Sequence, residues 1–346
     1  MTAETMPTPV AARRTIAIAG ASGFVGAALV ASFAADGHVV RTIGRAGEAR
    51  WSDAASIRSA VDGADVLLNL AGKSVNCRYT DAAREEILRS RVETTRSLRD
   101  AVAAVADPPA VWLNASTATI YRHETVRPNT ERDGILGSGF SVDVARAWEA
   151  ELFADELPAT RRVALRMAIV LGDGPATRTL LRLARWGLGG PQLDGWAPGH
   201  RRYRGIGPFA SAAERVPQHR TRGRQKFSWI HIDDVVGAVR FLTGDGAGGR
   251  IRGPVNLASP EASDNRELMR TLRRVVGAPI GLPSARWMLE PAMWALRTEP
   301  ELVLKSRWVA PEVLIDAGYR FRRPHLDEAV REVRAAQRRE RDGASL

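Results

Sequence analysis

The sequence is poor in thiols, in metal-ligand spacings and in repeats, and each shortage removes a class of protein. One cysteine, Cys77, in 346 residues excludes an intramolecular disulfide framework and a cysteine-rich zinc site, and fits a cytoplasmic chain. No His, Cys, Asp or Glu set recurs at metal-ligand spacing, so no metal is expected. Acids are short relative to bases: 39 Asp and Glu face 50 Lys and Arg, a formal net charge of +11. Such a charge suits nucleic acid, an anionic membrane surface or an arginine-rich solvated surface. The bases are scattered and interrupted by acids, as Glu332 and Glu340 interrupt 331–341, which favours the solvated surface over nucleic acid.

A long apolar run is lacking too, although one is imitated. Arg13-Arg14 precede a charge-free stretch at 15–35, which superficially resembles a twin-arginine export signal or one membrane span. Gly20, Ser22, Gly23 and Gly26 cut it into a strand-like piece (15–19) and a helix-like piece (24–35), and Asp36-Gly37 closes the helix. A second strand-like run at 38–43 follows at once, as a βαβ unit requires, so neither export nor membrane insertion is expected.

What remains is a globular chain, 45% hydrophobic, long enough for two domains or for one large domain with an appended lobe. Strand-like runs at 15–19, 38–43, 65–69, 110–115 and 162–167 alternate with helical stretches, the longest at 81–106. That alternation predicts an α/β fold with a Rossmann-type doubly wound parallel sheet. The predicted layout is a disordered tail at 1–14, a dinucleotide-binding domain at 15–172 with its sheet completed by 227–243, and a smaller C-terminal α/β substrate lobe in 173–340. An arginine-rich insertion at 196–222, with Glu214 as its one acid, reads as exposed, and mobile or ordered only by a partner.

Gly20-Ala21-Ser22-Gly23-Phe24-Val25-Gly26 spaces three glycines between the first strand and its helix. Gly20 permits a tight turn, Gly23 lets backbone N–H groups approach a pyrophosphate, and Gly26 allows close packing of helix on strand. An NAD-preferring site places an acid at the end of the second strand. Gly44-Arg45 stands there instead, and a guanidinium suits a 2′-phosphate, so NADP(H) is the expected cofactor.

Asn69-Leu70-Ala71-Gly72 and Ala115-Ser116-Thr117-Ala118-Thr119-Ile120-Tyr121, with Ser90-Arg91-Val92, Trp148-Glu149, Leu165-Arg166, Gly253-Pro254-Val255-Asn256 and above all Phe227-Ser228-Trp229-Ile230-His231-Ile232-Asp233-Asp234, resemble the extended short-chain dehydrogenase/reductase superfamily. The nearest likeness is to its 39U1-type epimerase family, and it covers nearly the whole chain apart from 196–222. The resemblance implies that Ala21 to Val25 meet the pyrophosphate. It also implies that Leu70, Ala71 and Gly72 line the adenosine side, and that Ala115 and Ser116 lie near the nicotinamide ribose. It puts Thr117 at the Ser/Thr position that polarises a substrate oxygen. Ser141 and Ala145 occupy the places of the expected Tyr and Lys, so the usual acid/base pair is missing.

Tyr121 is the best substitute phenol, and His231 could titrate near neutrality if it faces the cleft. Both have structural readings, as a cleft wall and as the cap of the helix at Asp233. Scattered tryptophans are usually packing anchors, and Trp229, close to the expected cleft, is the one singled out for substrate contact together with His231. The expected activity is that of an NADP(H)-dependent oxidoreductase or epimerase on a small polar carbonyl or hydroxyl substrate. The alternative is an NADP(H)-binding sensor or scaffold without turnover. A small-molecule substrate is the expected partner, and a homodimer stays open.

Overall fold

The computed structural model describes residues 12–195, 203–210, 219–295 and 304–343. The first half builds β1 (Thr15–Ala19), α1 (Phe24–Ala35), β2 (Val39–Gly44), β3 (Ala49–Arg50), α2 (Ala54–Val61), β4 (Val66–Asn69), α3 (Asp81–Ala104), β5 (Val111–Thr117), α4 (Phe140–Phe153) and β6 (Arg161–Met167). Then follow β7 (Ile169–Leu171), α5 (Pro175–Leu183), β8 (Gln192–Leu193), β9 (Lys226–Phe227), β10 (Trp229–His231), α6 (Ile232–Thr243), β11 (Gly253–Leu257), β12 (Ser263–Asp264), α7 (Asn265–Val276) and β13 (Ser284–Ala285).

Seven strands form one parallel sheet in the order β11-β6-β5-β4-β1-β2-β3. The order reverses direction between β4 and β1, which opens the crevice where doubly wound sheets bind ligands. Period-2 alternation feeds both faces: Ile16 and Ile18 pack with α1 and α6, while Ala17 and Ala19 face α2 and α3. Helices thus cover both sides, which is why these strands read as near-continuous apolar runs.

The expected sheet completion by 227–243 is corrected by this topology. β10 pairs with β7 in a separate two-stranded ribbon, and β11 is the strand that closes the main sheet against β6. The side lobe has its own core, in which Trp229 and Phe227 pack with Leu181, Leu268, Leu272 and Val330.

Two other expectations change. Within the predicted tail, residues 1–11 lie outside the described residues, but Arg14 is anchored: its backbone N–H donates to His38 Nδ1, and its guanidinium reaches the Thr243 carbonyl and Asp245. Of the insertion, 196–202 and 211–218 lie outside the described residues, but 203–210 is packed. Ile206 and Phe209 lie against the α3–α4 cluster of Ile87, Leu88, Phe140 and Val144, Arg146 stacks on Phe209, and Arg84 hydrogen-bonds the Arg204 carbonyl. No helix is long and apolar enough to cross a membrane among the described residues.

Candidate functional site

The glycine turn owes its shape to contacts that leave no room for side chains. Gly20 takes φ +79°, and a Cβ there would lie 2.7 Å from the Leu70 carbonyl carbon and 2.8 Å from the Ala71 nitrogen. A Cβ on Gly26 would sit 2.3 Å from the Gly20 carbonyl oxygen. The turn is therefore wedged between α1 and the end of β4. Gly23 caps α1 without a side-chain hydrogen bond, and the first turn carries no acid. The free N–H groups and positive dipole end of α1 open to the crevice with no carboxylate among the described residues occupying them, which suits an anion such as a pyrophosphate.

The other predicted cofactor residues ring this turn. Ser22, Gly23, Gly72 and Arg45 are exposed, Ala21, Phe24, Val25 and Leu70 half-buried, and Gly26, Ala71 and Ala115 buried. Arg45 follows β2 and has no hydrogen bond or ion pair among the described residues. Ala71 is held by its N–H to Asn69 Oδ1, and Asn69 in turn donates to Asn114 Oδ1 and Thr95 Oγ1. Ser116 points inward: its hydroxyl donates to Glu149 at 2.6 Å.

That last bond belongs to a buried polar network which sequence reasoning did not assign to the site. Arg166 on β6 makes a two-pronged pair with Glu149 on α4, at 2.8 and 2.7 Å. A third nitrogen donates to the Tyr121 hydroxyl at 2.8 Å, and Tyr121 donates to Asn256 Oδ1 on β11. Burial opposes charge on Arg166, but the bonds to Glu149 and Tyr121 outweigh it and raise its pKa. The network bolts α4, β5, β6 and β11 together beneath the strand ends. A readable signal existed: a charged residue inside the apolar strand Val163-Ala164-Leu165-Arg166-Met167 needs a buried partner.

The candidate catalytic residues fare unequally. Thr117 ends β5, half-buried, and its Oγ1 accepts the Thr119 N–H at 3.1 Å. Its hydroxyl proton stays available to a substrate oxygen. Tyr121 is 2% exposed, with its phenol bound on both sides by Arg166 and Asn256. Burial raises its pKa against the opposing pull of Arg166. The expectation of a substitute acid at Tyr121 is therefore corrected: a sealed, doubly bonded phenol is a wall.

On α4, Ala145 is fully buried against Ala118, Tyr121 and Val309.

Trp229 is 0% exposed in the lobe core, which corrects its assignment to substrate. Alternation along the three-residue β10 puts Trp229 in the lobe core and Ile230 in the core under the main sheet. His231 is 3% exposed and accepts the Asp233 N–H on Nδ1, capping α6. Burial lowers its pKa, with Asp233, Glu332 and Asp234 pulling it up. It is the structural cap, not a substrate contact. Asp234 is also structural, clamping the backbone N–H groups of Arg322 and Arg323.

Comparison with known proteins agrees with this construction. Residues 16–139 match the NAD dependent epimerase/dehydratase family, and 286–333 match a domain of unknown function, DUF1731. The chain is 30% identical over 330 residues to the human epimerase family protein SDR39U1, covering 92% of this chain and 99% of the relative. It is 32% identical over 331 residues to the cattle SDR39U1, with the same coverage. The crystal structure of human SDR39U1 (isoform 2) with NADPH superposes with a TM-score of 0.75 at 24% identity, over 92% of this chain and 98% of that one.

Proposed function

Because the chain belongs to the SDR39U1-type epimerase family of extended short-chain dehydrogenases/reductases, we propose that it is an NADP(H)-dependent oxidoreductase or epimerase acting on a small polar carbonyl or hydroxyl compound. The observation that carries this reading is the glycine turn, where the contacts at Gly20 and Gly26 exclude any Cβ and leave the start of α1 open to an anion. Arg45, exposed and without an ion pair among the described residues just after β2, favours a 2′-phosphate and hence NADP(H) over NAD(H).

When bound, the nicotinamide supplies or takes up the hydride. The chain's own contributions are separate. Thr117 donates a hydrogen bond to the substrate oxygen, and the Arg166–Glu149–Ser116 network holds the end of β5 so that Thr117 stays in place. Tyr121 closes the wall behind it. Ser141 and Ala145 standing where a Tyr–Lys pair serves other members is part of this proposal. Ala145, buried among apolar neighbours, leaves no space there for an ammonium group.

A sensor or scaffold that binds NADP(H) without turnover is the second reading, favoured by the sealed phenol of Tyr121. The deciding experiment measures cofactor affinity by fluorescence titration and follows reduced-nicotinamide absorbance against a panel of aldehydes, ketones, quinones and nucleotide sugars. Turnover that is lost in Thr117→Val supports the enzyme. Tight binding with no turnover across the panel supports the sensor. NADH binding more tightly than NADPH, or an Arg45→Ala variant with unchanged preference, overturns the cofactor assignment.

A further inference from the structure

The last residues of the 196–222 insertion, which the cofactor reading leaves without a role, help to wall a second cavity, of about 920 Å³. The start of α7 and the loop after Tyr121 complete it, and among the described residues none of its lining belongs to the glycine turn or to the ends of β1, β2 and β4. Five cations line it: Arg220, Arg224, Lys226, Arg266 and Arg270. None of the five is ion-paired among the described residues. Lys226 stacks 4.5 Å from the centre of the Trp308 ring, and Arg266 Nε donates to the Arg222 carbonyl at 3.0 Å. Elsewhere on the surface, arginines find acids: Arg96 and Arg99 share Glu151, Arg132 holds Asp316, and Arg274 and Arg331 share Asp327. The two carboxylates in the lining do not offset the five cations. Asp264 Oδ1 accepts the Glu267 N–H at 2.8 Å as the cap of α7, and Glu267 pairs with no cation among the described residues. His123 and His219 stack in the wall, and burial lowers the pKa of each, so both are neutral at pH 7 and the five long side chains carry the positive charge.

The backbone holds these charges together against their repulsion. Asp194 accepts the N–H groups of Thr221 and Arg222, at 2.8 and 3.2 Å, and Arg222 takes a left-handed φ of +54° that residues with a Cβ seldom adopt. The following residues are tied to α7, with the Arg266 N–H on the Gly223 carbonyl and the Asn265 N–H on the Gln225 carbonyl. Arg266 and Arg270 then lie one helical turn apart on the same face of α7, a like-charge spacing that destabilises a helix. A merely solvated surface gains nothing from this arrangement, whereas a bound polyanion relieves it. A carboxylate ligand brings one charge. Each phosphate ester brings about −1.5 to −2 at neutral pH, with oxygens that suit forked guanidinium donors. The cavity also has the size of a small-molecule site, about 300–1,000 Å³. We propose that it binds a small phosphorylated compound carrying two or more phosphate groups, with Arg224, Arg266 and Arg270 forking onto the phosphate oxygens and Lys226 adding a point charge. This second anion site goes beyond the cofactor reading and does not depend on it.

The test titrates inorganic tripolyphosphate by calorimetry into protein saturated with NADPH, which keeps the glycine turn occupied, and repeats the titration without NADPH. Wild type should bind one tripolyphosphate per chain with NADPH present. In Arg224→Gln/Arg270→Gln, whose two arginine side chains make no hydrogen bond among the described residues, the ligand-free melting temperature should hold and binding should weaken about 10- to 100-fold. Arg250→Gln/Arg320→Gln removes the same charge elsewhere on the surface and should stay within about twofold of wild type. Glu267→Gln takes an acid out of the lining and should tighten binding about two- to fivefold, a gain that misfolding cannot produce. No saturable binding, or equal loss in the two double variants, overturns the proposal. Binding that NADPH abolishes also overturns it, since the anion then sits at the glycine turn. So does a single-stranded RNA oligonucleotide that binds more tightly than tripolyphosphate and is lost in Arg224→Gln/Arg270→Gln, which marks a nucleic-acid surface. A wild type that takes up tripolyphosphate but no NADPH supports the proposal and overturns the cofactor reading.

Discussion

Replacing Arg166 by Met separates the buried network from ordinary core packing. The guanidinium makes two bonds to Glu149 and one to Tyr121, all between 2.7 and 2.8 Å. Both charged residues are nearly sealed, at 7% and 9% exposure. Met fills much of the volume but leaves the Glu149 carboxylate with Ser116 as its one remaining partner among the described residues. Breaking a buried pair from one side costs about 3–5 kcal/mol, because a desolvated charge is left uncompensated. Unfolding entropy of about 2.1 cal/mol/K per residue gives roughly 0.7 kcal/mol/K for a chain of this length, so the melting temperature should fall by about 4–7 °C. The double variant Glu149→Leu/Arg166→Met removes both charges and should recover most of that loss. Differential scanning calorimetry of the two singles and the double closes the cycle. A single variant that melts within about 1 °C of wild type, or a double variant whose loss is the sum of the singles, would refute the claim that the pair acts as a unit.

Other perturbations follow from the same geometry. Gly26→Ala places a Cβ 2.3 Å from the Gly20 carbonyl oxygen, so α1 must shift; cofactor affinity should drop at least about tenfold, and unchanged affinity by titration would remove the close-packing argument. Tyr121→Phe strands an Arg166 donor and Asn256 Oδ1 at a cost of about 1–3 kcal/mol, read by urea denaturation; if Tyr121 is a wall, turnover falls modestly, whereas abolished turnover with a normal melt would restore it as the acid. His123 is held neutral, its pKa lowered to about 3 by burial, by His219 and by Lys305, and its Nδ1 accepts the Ser306 N–H. The unfolded chain regains the ordinary histidine value of about 6.5, so this contribution is present above that pH and is lost as pH falls through it toward about 3. Melts of His123→Phe should show a shallower acid decline than wild type; identical slopes would show that other groups carry it.

What could be read in the sequence was local. The strands β1, β2, β4, β5 and β6 carry apolar side chains toward both helical layers, so their composition alone marks them. The glycine spacing records backbone contacts at Gly20 and Gly26 that tolerate no Cβ. Strand pairing is a tertiary property and was less legible. Trp229-Ile230-His231 looks more like a central strand than Gly253-Pro254-Val255-Asn256-Leu257, yet β11 closes the sheet, because α6 turns the chain back before the edge against β6 is filled. Trp229 and His231 drew a functional reading from their place in a distinctive motif, and both serve the fold: alternation buries the indole, and the imidazole caps α6. Glu149 and Arg166 lie seventeen positions apart on different elements, so motif spacing could not pair them. Only the anomaly of an arginine in an apolar strand pointed to a hidden acid.

The buried arginines of this fold have their charge met in different ways. Arg166 carries its counter-ion with it in Glu149 and is complete without any ligand. Arg161 pairs with no carboxylate among the described residues, yet two of its nitrogens donate at 2.6 Å to the Leu242 and Ile251 carbonyls, the first of them in the last turn of α6, where carbonyls lack helical partners and the dipole is negative. Its charge is met by the backbone. Arg91 shows a third arrangement: its Nη1 donates to the Lys73 and Ile87 carbonyls, and the guanidinium stacks 5.0 Å from the centre of the Trp148 ring. A carboxylate, a helix end and an aromatic face are thus three ways in which this fold meets a buried cation.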